Sequence, residues 1–446
     1  MRAMLKLPPD LKVIGFVVLV GLVLNGLYFA HFRTFLSPDS MTYLIPARNL
    51  VEGKGFTSGA GRPELMRTPG YPLLIAVLML ADLDVKSIVL VQHLLNVLLA
   101  AGVALFTLKL TASRILAVTT GLLLAADLPM LDTANTVLSD TLFAFLLFLS
   151  LRLIYQETIS CKPNCWKVAF SGLLAGAVSL VRPVAVYLVV PIGAFIWITR
   201  RSLKFRTSII FGLLFVIAPL SWSAHNYLKA GHFVLSYISN VNLLLYRAAG
   251  VLAINEPGDF YRNLETQQQE LLNRACGDLE RLYGHDCAAI AVPDKAGYFS
   301  HLGATIVLSH PTASAKLGVR GAAAMMLGLD TLAVARILHI GQRPAKLLAR
   351  FYMCGTALLW LLGAIYWWKH QRQMFYLFFF TSAYFIVLSA GAETYNRFRV
   401  PITPLCVVAE AAGLQVVFAF FYRRISRWHT RPQGLLDLKL EGVERR

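Results

Sequence analysis

Apolar segments of near-spanning length recur from Leu11 to Tyr422, and this pattern limits the possible folds more than any other feature of the chain. Of the 446 residues, 57% are hydrophobic and only 15% are charged, whereas soluble domains carry about a quarter charged residues. So little polar surface cannot cover a water-soluble body of this size. The chain is therefore read as an all-α polytopic membrane protein, in which helices satisfy their own backbone groups inside lipid.

The apolar periodicity predicts about ten transmembrane helices. They are Leu11–His31, Val85–Phe106, Ile115–Ala126, Val137–Tyr155, Val168–Val181, Val184–Thr199, Ser208–Trp222, Leu347–Trp368, Met374–Ala390 and Ile402–Tyr422. The first run lacks a small-residue cleavage site and reads as a retained helix rather than a signal peptide. Tyr71–Ala81 is too short to cross about 30 Å of hydrocarbon and reads as an interfacial helix. Residues 1–422 then form one membrane module with a first external loop (32–84) and a large external loop (226–346), followed by a basic tail (423–446). Inside the large loop, Leu264–Tyr283 has the polarity of a soluble amphipathic helix, and His301–Leu329 reads as interfacial helices broken at Pro311.

Charge supports that topology. Arg2 and Lys6, Lys109 and Arg114, Lys162 and Lys167, then Arg200, Arg201, Lys204 and Arg206, Lys369 and Arg372, and the tail arginines Arg423, Arg424, Arg427 and Arg431 all fall on one side. The polar bend Asp127–Ser139 on the other side has acids and no Lys or Arg. The basic side is the cytoplasmic one by the positive-inside rule, which places both termini there. This bias also accounts for the net charge of +18 without nucleic acid as a partner, since no soluble domain carries a basic stripe. Cys161 and Cys165 read as free thiols, and a Cys276–Cys287 disulfide stays open until that segment is placed outside the cytoplasm.

Against this topology, Arg62, Arg67, Arg182, Arg397 and Arg399 lie on the external side, opposite to the usual bias. Cations held near membrane entry points suit an anionic ligand at headgroup level, and a phosphate above all. The stretch Ser37–Pro72 joins such cations to Asp39, to Tyr43 and Tyr71, and to glycines at 53, 55, 59, 61 and 70 that let it fold back. Each residue also has a plain structural reading. Asp39 suits an N-cap of Met41–Val51, and Asp140 a cap of the fourth span. Arg182-Pro183 suits a helix corner, Arg397 and Arg399 suit snorkelling, and His310 suits an exposed helix break. Gln92, His93 and Asn96 share a helical face that should point into the bundle. No nucleotide-type Gly-rich loop, HExxH or CxxC motif occurs.

The ordered set of motifs resembles the GT-C superfamily of integral-membrane glycosyltransferases, in the protein-mannosyltransferase, aminoarabinose-transferase and lipopolysaccharide-core-transferase branch. It comprises Pro38-Asp39-Ser40 with Tyr43, Gly53-Lys54-Gly55-Phe56, Arg67-Thr68-Pro69-Gly70-Tyr71-Pro72, Ser139-Asp140-Thr141-Leu142-Phe143, Arg182-Pro183, His310-Pro311, and Arg397-Phe398-Arg399-Val400-Pro401 with Pro404. No single piece is specific, but together they run in order over residues 11 to 422.

The resemblance implies a GT-C bundle with interfacial helices in the first loop. It also implies inverting transfer of a sugar from a polyprenyl-phosphate donor to a glycan, lipid or protein acceptor. Asp39 would be the general base, and Asp140 a second acid that orients the acceptor, an arginine or a metal. Arg67, Arg182, Arg397, Arg399 and His310 would hold the donor phosphate, with Tyr43, Tyr71 and Tyr395 lining the pocket. No metal is expected to be required. Several relatives carry Glu at the Asp140 position, and many add a soluble C-terminal domain, which shifts acceptor recognition here to the large loop. The absence of an N-x-Ser/Thr sequon favours the periplasmic face of a bacterial inner membrane. The rival class is a transporter or lipid flippase, which predicts inverted repeats and broken mid-membrane helices; the sequence displays neither.

Overall fold

The computed structural model describes residues 9–33, 35–199, 204–329 and 331–429. Arg2, Lys6, Arg200, Arg201 and Arg431 from the topology argument lie outside the described residues, as do the side chains of Arg423, Arg424 and Arg427. Helices dominate, and the one β-contact among the described residues is an isolated bridge between Thr57 and Pro63.

The chain opens with α1 (Pro9–His31), then α2 (Met41–Val51) and α3 (Gly70–Leu80) in the loop predicted to be external. There follow α4 (Val85–Thr111), α5 (Arg114–Ala125), α6 (Leu128–Ala134), α7 (Asp140–Ile159), α8 (Cys165–Val181), a 3-10 turn (Pro183–Tyr187), α9 (Val189–Thr199) and α10 (Lys204–Ala230). The large loop is itself helical: α11 (Ile238–Asn242), a π-helical turn (Leu243–Ala248), α12 (Ala249–Ala253), α13 (Phe260–Tyr283), α14 (Val292–Ser309), α15 (Pro311–Leu327) and α16 (Thr331–Leu338). The chain closes with α17 (Gln342–His370), α18 (Arg372–Ser389), a 3-10 turn (Asn396–Arg399) and α19 (Thr403–His429).

Every predicted span is helical, although Val184–Thr199 is divided between the 3-10 turn and α9, and the count of ten is not reproduced by length and composition. Six described helices are long and apolar enough to cross a membrane: α1, α4, α7, α10, α17 and α19. A seventh forms if α5 and α6 are one span bent by 52°. The predicted polar bend Asp127–Ser139 is thus largely a helix, because Asp127 caps it by accepting the Met130 backbone N–H at 3.1 Å and Pro129 suits its first turn. Helices α8 and the segment Pro183–Thr199 are shorter apolar elements.

Close packing sets the bundle. A Cβ on Gly363 of α17 would strike the backbone of Ala409, and one on Gly413 of α19 would strike that of Leu359, so α17 and α19 cross at backbone contact. Gly172 and Gly176 do the same for α8 against Phe211 and Phe215 of α10. Small residues at crossings are how membrane helices gain dispersion contacts when lipid removes most of the hydrophobic drive. The large loop has its own apolar core, in which Leu264, Leu271, Ala275 and Leu279 of amphipathic α13 meet Leu244, Ala248, Phe299 and Leu317. A disulfide joins Cys276 to Cys287 across the end of α13.

Candidate active site

Local hydrogen bonds explain why residues distant in sequence converge. The first loop is stapled to the segment before α7: Val137 N–H donates to the Phe35 carbonyl at 2.9 Å, and the Ser40 hydroxyl donates to the Val137 carbonyl at 3.0 Å. This brings Asp39 beside Asp140. The far end of the loop is bent by Glu64, whose Oε1 accepts the N–H groups of Met66 (2.7 Å) and Arg67 (3.0 Å). Burial pushes the Glu64 carboxyl up from its ordinary value, partly offset by those N–H groups and the Arg67 charge. The large loop grips the same spot, with Tyr237 N–H on the Leu65 carbonyl and the Ser236 hydroxyl on the Met66 carbonyl.

Two glycine roles differ. Gly53, Gly55 and Gly61 have positive φ, as turns of the loop require. Gly70 instead allows close approach: a Cβ there would lie 2.7 Å from the Leu180 carbonyl oxygen, so the start of α3 docks on the end of α8, just before Arg182.

The result is a continuous ion chain. Arg67 Nη2 donates to Asp39 Oδ1 at 3.0 Å, and Arg397 Nη1 reaches Asp39 Oδ2 at 3.3 Å. Arg397 also donates through Nη2 (2.9 Å) and Nε (3.0 Å) to Asp140 Oδ2, while Arg182 pairs with Asp140 Oδ1. Three guanidiniums meet two carboxylates, leaving one positive charge in excess. The two acids differ sharply in access, since the Asp39 side chain is 43% exposed and that of Asp140 0%. Neither acts as the predicted helix cap. The N-cap of α2 is Ser40 and that of α7 is Ser139, and neither makes a side-chain cap bond. Arg397 is buried, which alone favours its neutral form, but the charges of Asp140 and Tyr395 outweigh that and hold its pKa above the ordinary value.

Aromatic groups frame the cations. Arg67 lies 4.8 Å from the Tyr43 ring centre and donates to its hydroxyl at 3.3 Å, and that hydroxyl also meets Ser139 at 3.3 Å. Tyr71 packs edge-on against Tyr43 and donates to Gln92. The Arg397 Nη1 donates to Tyr395 at 3.4 Å, and Arg182 stands 5.8 Å from the Phe143 ring. The predicted polar face of α4 does point inward. Gln92 donates to the Ala134 and Thr136 carbonyls, and His93 bonds Asn25 and Asn135, tying α4 to α1 and α6 below the site.

Two predicted phosphate ligands have partners outside the ion chain. Arg399 turns away from the ion chain and pairs with Asp127 at 3.1 Å, with both side chains under a tenth exposed. It also lies 5.7 Å from the Trp360 ring and donates to the Met326 carbonyl at 3.4 Å. The His310 ring bonds the Ile306 carbonyl (2.9 Å) and Ser309 (3.1 Å) at the break between α14 and α15. Sequence reasoning did not single out Asp127 as a partner, nor Glu64 as the group that bends the loop. Asp127 was visible only as one acid of an external bend, and Glu64 carried no sequence signal. Among the described residues, no three His, Cys, Asp or Glu side chains gather in metal-binding reach.

No family model matches the chain, and no curated protein matches it by sequence. Among solved structures, the oligosaccharyltransferase AglB of Archaeoglobus fulgidus, held with an inhibitory peptide and a dolichol-phosphate, aligns with a TM-score of 0.50 at 14% identity over 94% of this chain and 52% of its own. The Archaeoglobus fulgidus enzyme tethered to an acceptor peptide aligns at 0.53, with 13% identity over 95% of this chain and 51% of its own. The chain therefore spans about half the length of these archaeal proteins. A looser superposition, at 0.44 and 13% identity over 93% of this chain and 80% of its own, is with ArnT from Cupriavidus metallidurans bound to undecaprenyl phosphate. The fold resembles that of these two archaeal oligosaccharyltransferase structures.

Proposed function

We propose that this protein is an inverting glycosyltransferase that moves a sugar from a polyprenyl-phosphate donor to a hydroxyl or amine of a glycan, lipid or protein acceptor. The reaction is placed on the periplasmic face of a bacterial inner membrane, with both termini cytoplasmic. The observation that carries this reading is the chain Arg67–Asp39–Arg397–Asp140–Arg182, with its surplus cation and its single accessible carboxylate of the two.

The acceptor oxygen or nitrogen attacks the anomeric carbon from the face opposite the phosphate, and Asp39 accepts its proton. The bond from that carbon to the phosphate oxygen breaks, and the lipid phosphate leaves with the electron pair. That leaving group is already anionic, so it needs cations rather than an acid, and Arg67, Arg182 and Arg397 supply them in a forked, bidentate form. Asp140, wholly buried between two guanidiniums, holds Arg182 and Arg397 in register rather than exchanging protons. The reading includes no required metal: Arg397 and Arg182 already engage both Asp140 oxygens, and Arg67 and Arg397 both Asp39 oxygens.

Acceptor recognition is assigned to the large loop, in keeping with a cavity of about 420 Å³ there, lined by Val241, Leu272, Phe299 and the Cys276–Cys287 bridge. Met66 also lines it, one residue from Arg67. A transporter or flippase is the second reading, favoured by the 52° break between α5 and α6. The break is accounted for locally by the Asp127 cap, and the accessible acid of the ion chain, Asp39, lies with Arg67 in the loop beyond the end of α1.

The test is sugar transfer by purified protein from polyprenyl-phosphate sugars, comparing wild type with Asp39→Asn. Loss of a general base predicts a fall in kcat of about 100- to 10,000-fold. Undiminished transfer by the variant refutes the mechanism, and lipid translocation without transfer by the wild type supports the second reading.

A further inference from the structure

Between α18 and the 3-10 turn that carries Arg397 lies one acid the mechanism above does not use. Glu393 is largely buried, and its Oε2 has no hydrogen-bond partner among the described residues. Burial pushes its pKa up, while its own backbone N–H and the Arg247 charge pull the other way. The side chain folds over Gly391, where a Cβ would lie 2.6 Å from Oε2 and 3.0 Å from Arg247 Nε. Arg247 does not close an ion pair with it; its Nη2 donates to the Leu388 carbonyl at 2.5 Å. The segment is otherwise well held, with the Thr394 hydroxyl accepting the Gly391 N–H at 2.7 Å and donating to the Ser389 carbonyl.

The next residue back along the π-helical turn is Tyr246. Its phenol is raised by burial and then by the charges of Asp39 and Glu393, with Arg67 opposing, so it lies in the combined field of Glu393 and the ion chain. Tyr395 borders the same space, and its hydroxyl accepts from Arg397. π-Helical turns are rare and often occur at functional sites. A buried carboxylate oxygen left without a partner is costly unless a ligand brings a donor. The sugar of a lipid-linked donor hangs from its phosphate, and Tyr246, which feels the charges of Glu393, Asp39 and Arg67 together, links this oxygen to the ion chain.

We propose that Glu393, with Tyr246 beside it, forms a sugar-recognition subsite that accepts a hydrogen bond from a hydroxyl or amino group of the donor sugar. This rests on the lipid-phosphate donor proposed above. The two chemical sources of the bond are separable, because an ammonium needs the negative charge and a hydroxyl needs only an acceptor.

Binding is measured in nanodiscs with undecaprenyl phosphate and with the same lipid bearing a hexose or an aminohexose, for wild type, Glu393→Ala and Glu393→Gln. The expected result is unchanged Kd for undecaprenyl phosphate in every protein, and at least about tenfold weaker binding of a sugar-bearing lipid to Glu393→Ala. Retention by Glu393→Gln identifies a hydroxyl, and loss with the aminohexose identifies an amine. Equal binding of sugar-bearing lipids to wild type and Glu393→Ala overturns the subsite. Equal weakening of undecaprenyl phosphate also overturns it, since that marks a structural role. A rise in acceptor KM at constant donor Kd moves Glu393 to the acceptor and overturns it as well. Failure of wild type to bind undecaprenyl phosphate at all is a different pattern, which overturns the donor reading and this subsite with it.

Discussion

Arg399 gives the sharpest test, because sequence and structure assign it opposite roles. As a phosphate ligand, its loss would weaken donor use and leave the fold intact. The structure instead buries it at 3% exposure against Asp127 at 9%, with N–O distance 3.1 Å. Removing one member of such a pair leaves an uncompensated charge and costs about 3–5 kcal/mol. Arg399→Met should therefore lower the unfolding free energy in mixed micelles by that amount. The loss should sit at the upper end, since the Met326 carbonyl and the Trp360 ring also lose a cationic neighbour. Asp127→Asn should cost slightly less, because an Asn oxygen still accepts the Met130 N–H that begins α6. The double variant removes both charges and should recover much of the loss, with a coupling of about 2 kcal/mol in the double-mutant cycle. Strictly additive single effects refute the buried-pair reasoning. So does an Arg399→Met protein of unchanged stability whose donor KM alone has risen.

Other outcomes follow from the ion chain and its supports. Arg397→Lys keeps the charge but not the fork that reaches both Asp39 and Asp140, so kcat/KM should fall on the order of 100-fold; a near-native value removes Arg397 from the bridge. Glu64 has its folded pKa raised above the ordinary 4.5, so the folded state holds the proton more tightly than the unfolded chain. Its stabilising contribution is full below 4.5 and is lost as pH rises through the folded value. Glu64→Gln keeps the acceptor for the Met66 and Arg67 N–H groups and should flatten that slope in thermal unfolding scanned from acid to neutral pH. An unchanged slope assigns the pH dependence elsewhere. Chelation with EDTA should leave transfer undiminished, and a loss restored by added Mg²⁺ contradicts the metal-free reading.

The sequence by itself determined the class and the outline. A backbone in lipid must be helical and flanked by apolar side chains, so spans such as α1, α4 and α7 and the amphipathic α13 are legible as periodic runs. That Arg67, Arg182 and Arg397 depart from the expected charge bias was legible for the same reason, because positive charge in those loops is unusual under the predicted topology. Pairing was not legible. Asp39 and Asp140 both looked like caps, and only the staples from Phe35 and Ser40 to Val137 bring them to one guanidinium. Glu64 and Glu393 acquire meaning only from burial that no local pattern announces. The clearest case is Arg397 and Arg399, two residues apart with the same chemistry. In a 3-10 helix, with about three residues per turn, neighbours two apart point about 240° around the axis from each other. One arginine thus faces the open ion chain and the other the buried Asp127, a division that spacing alone could not assign because it depends on the turn's rotation within the bundle.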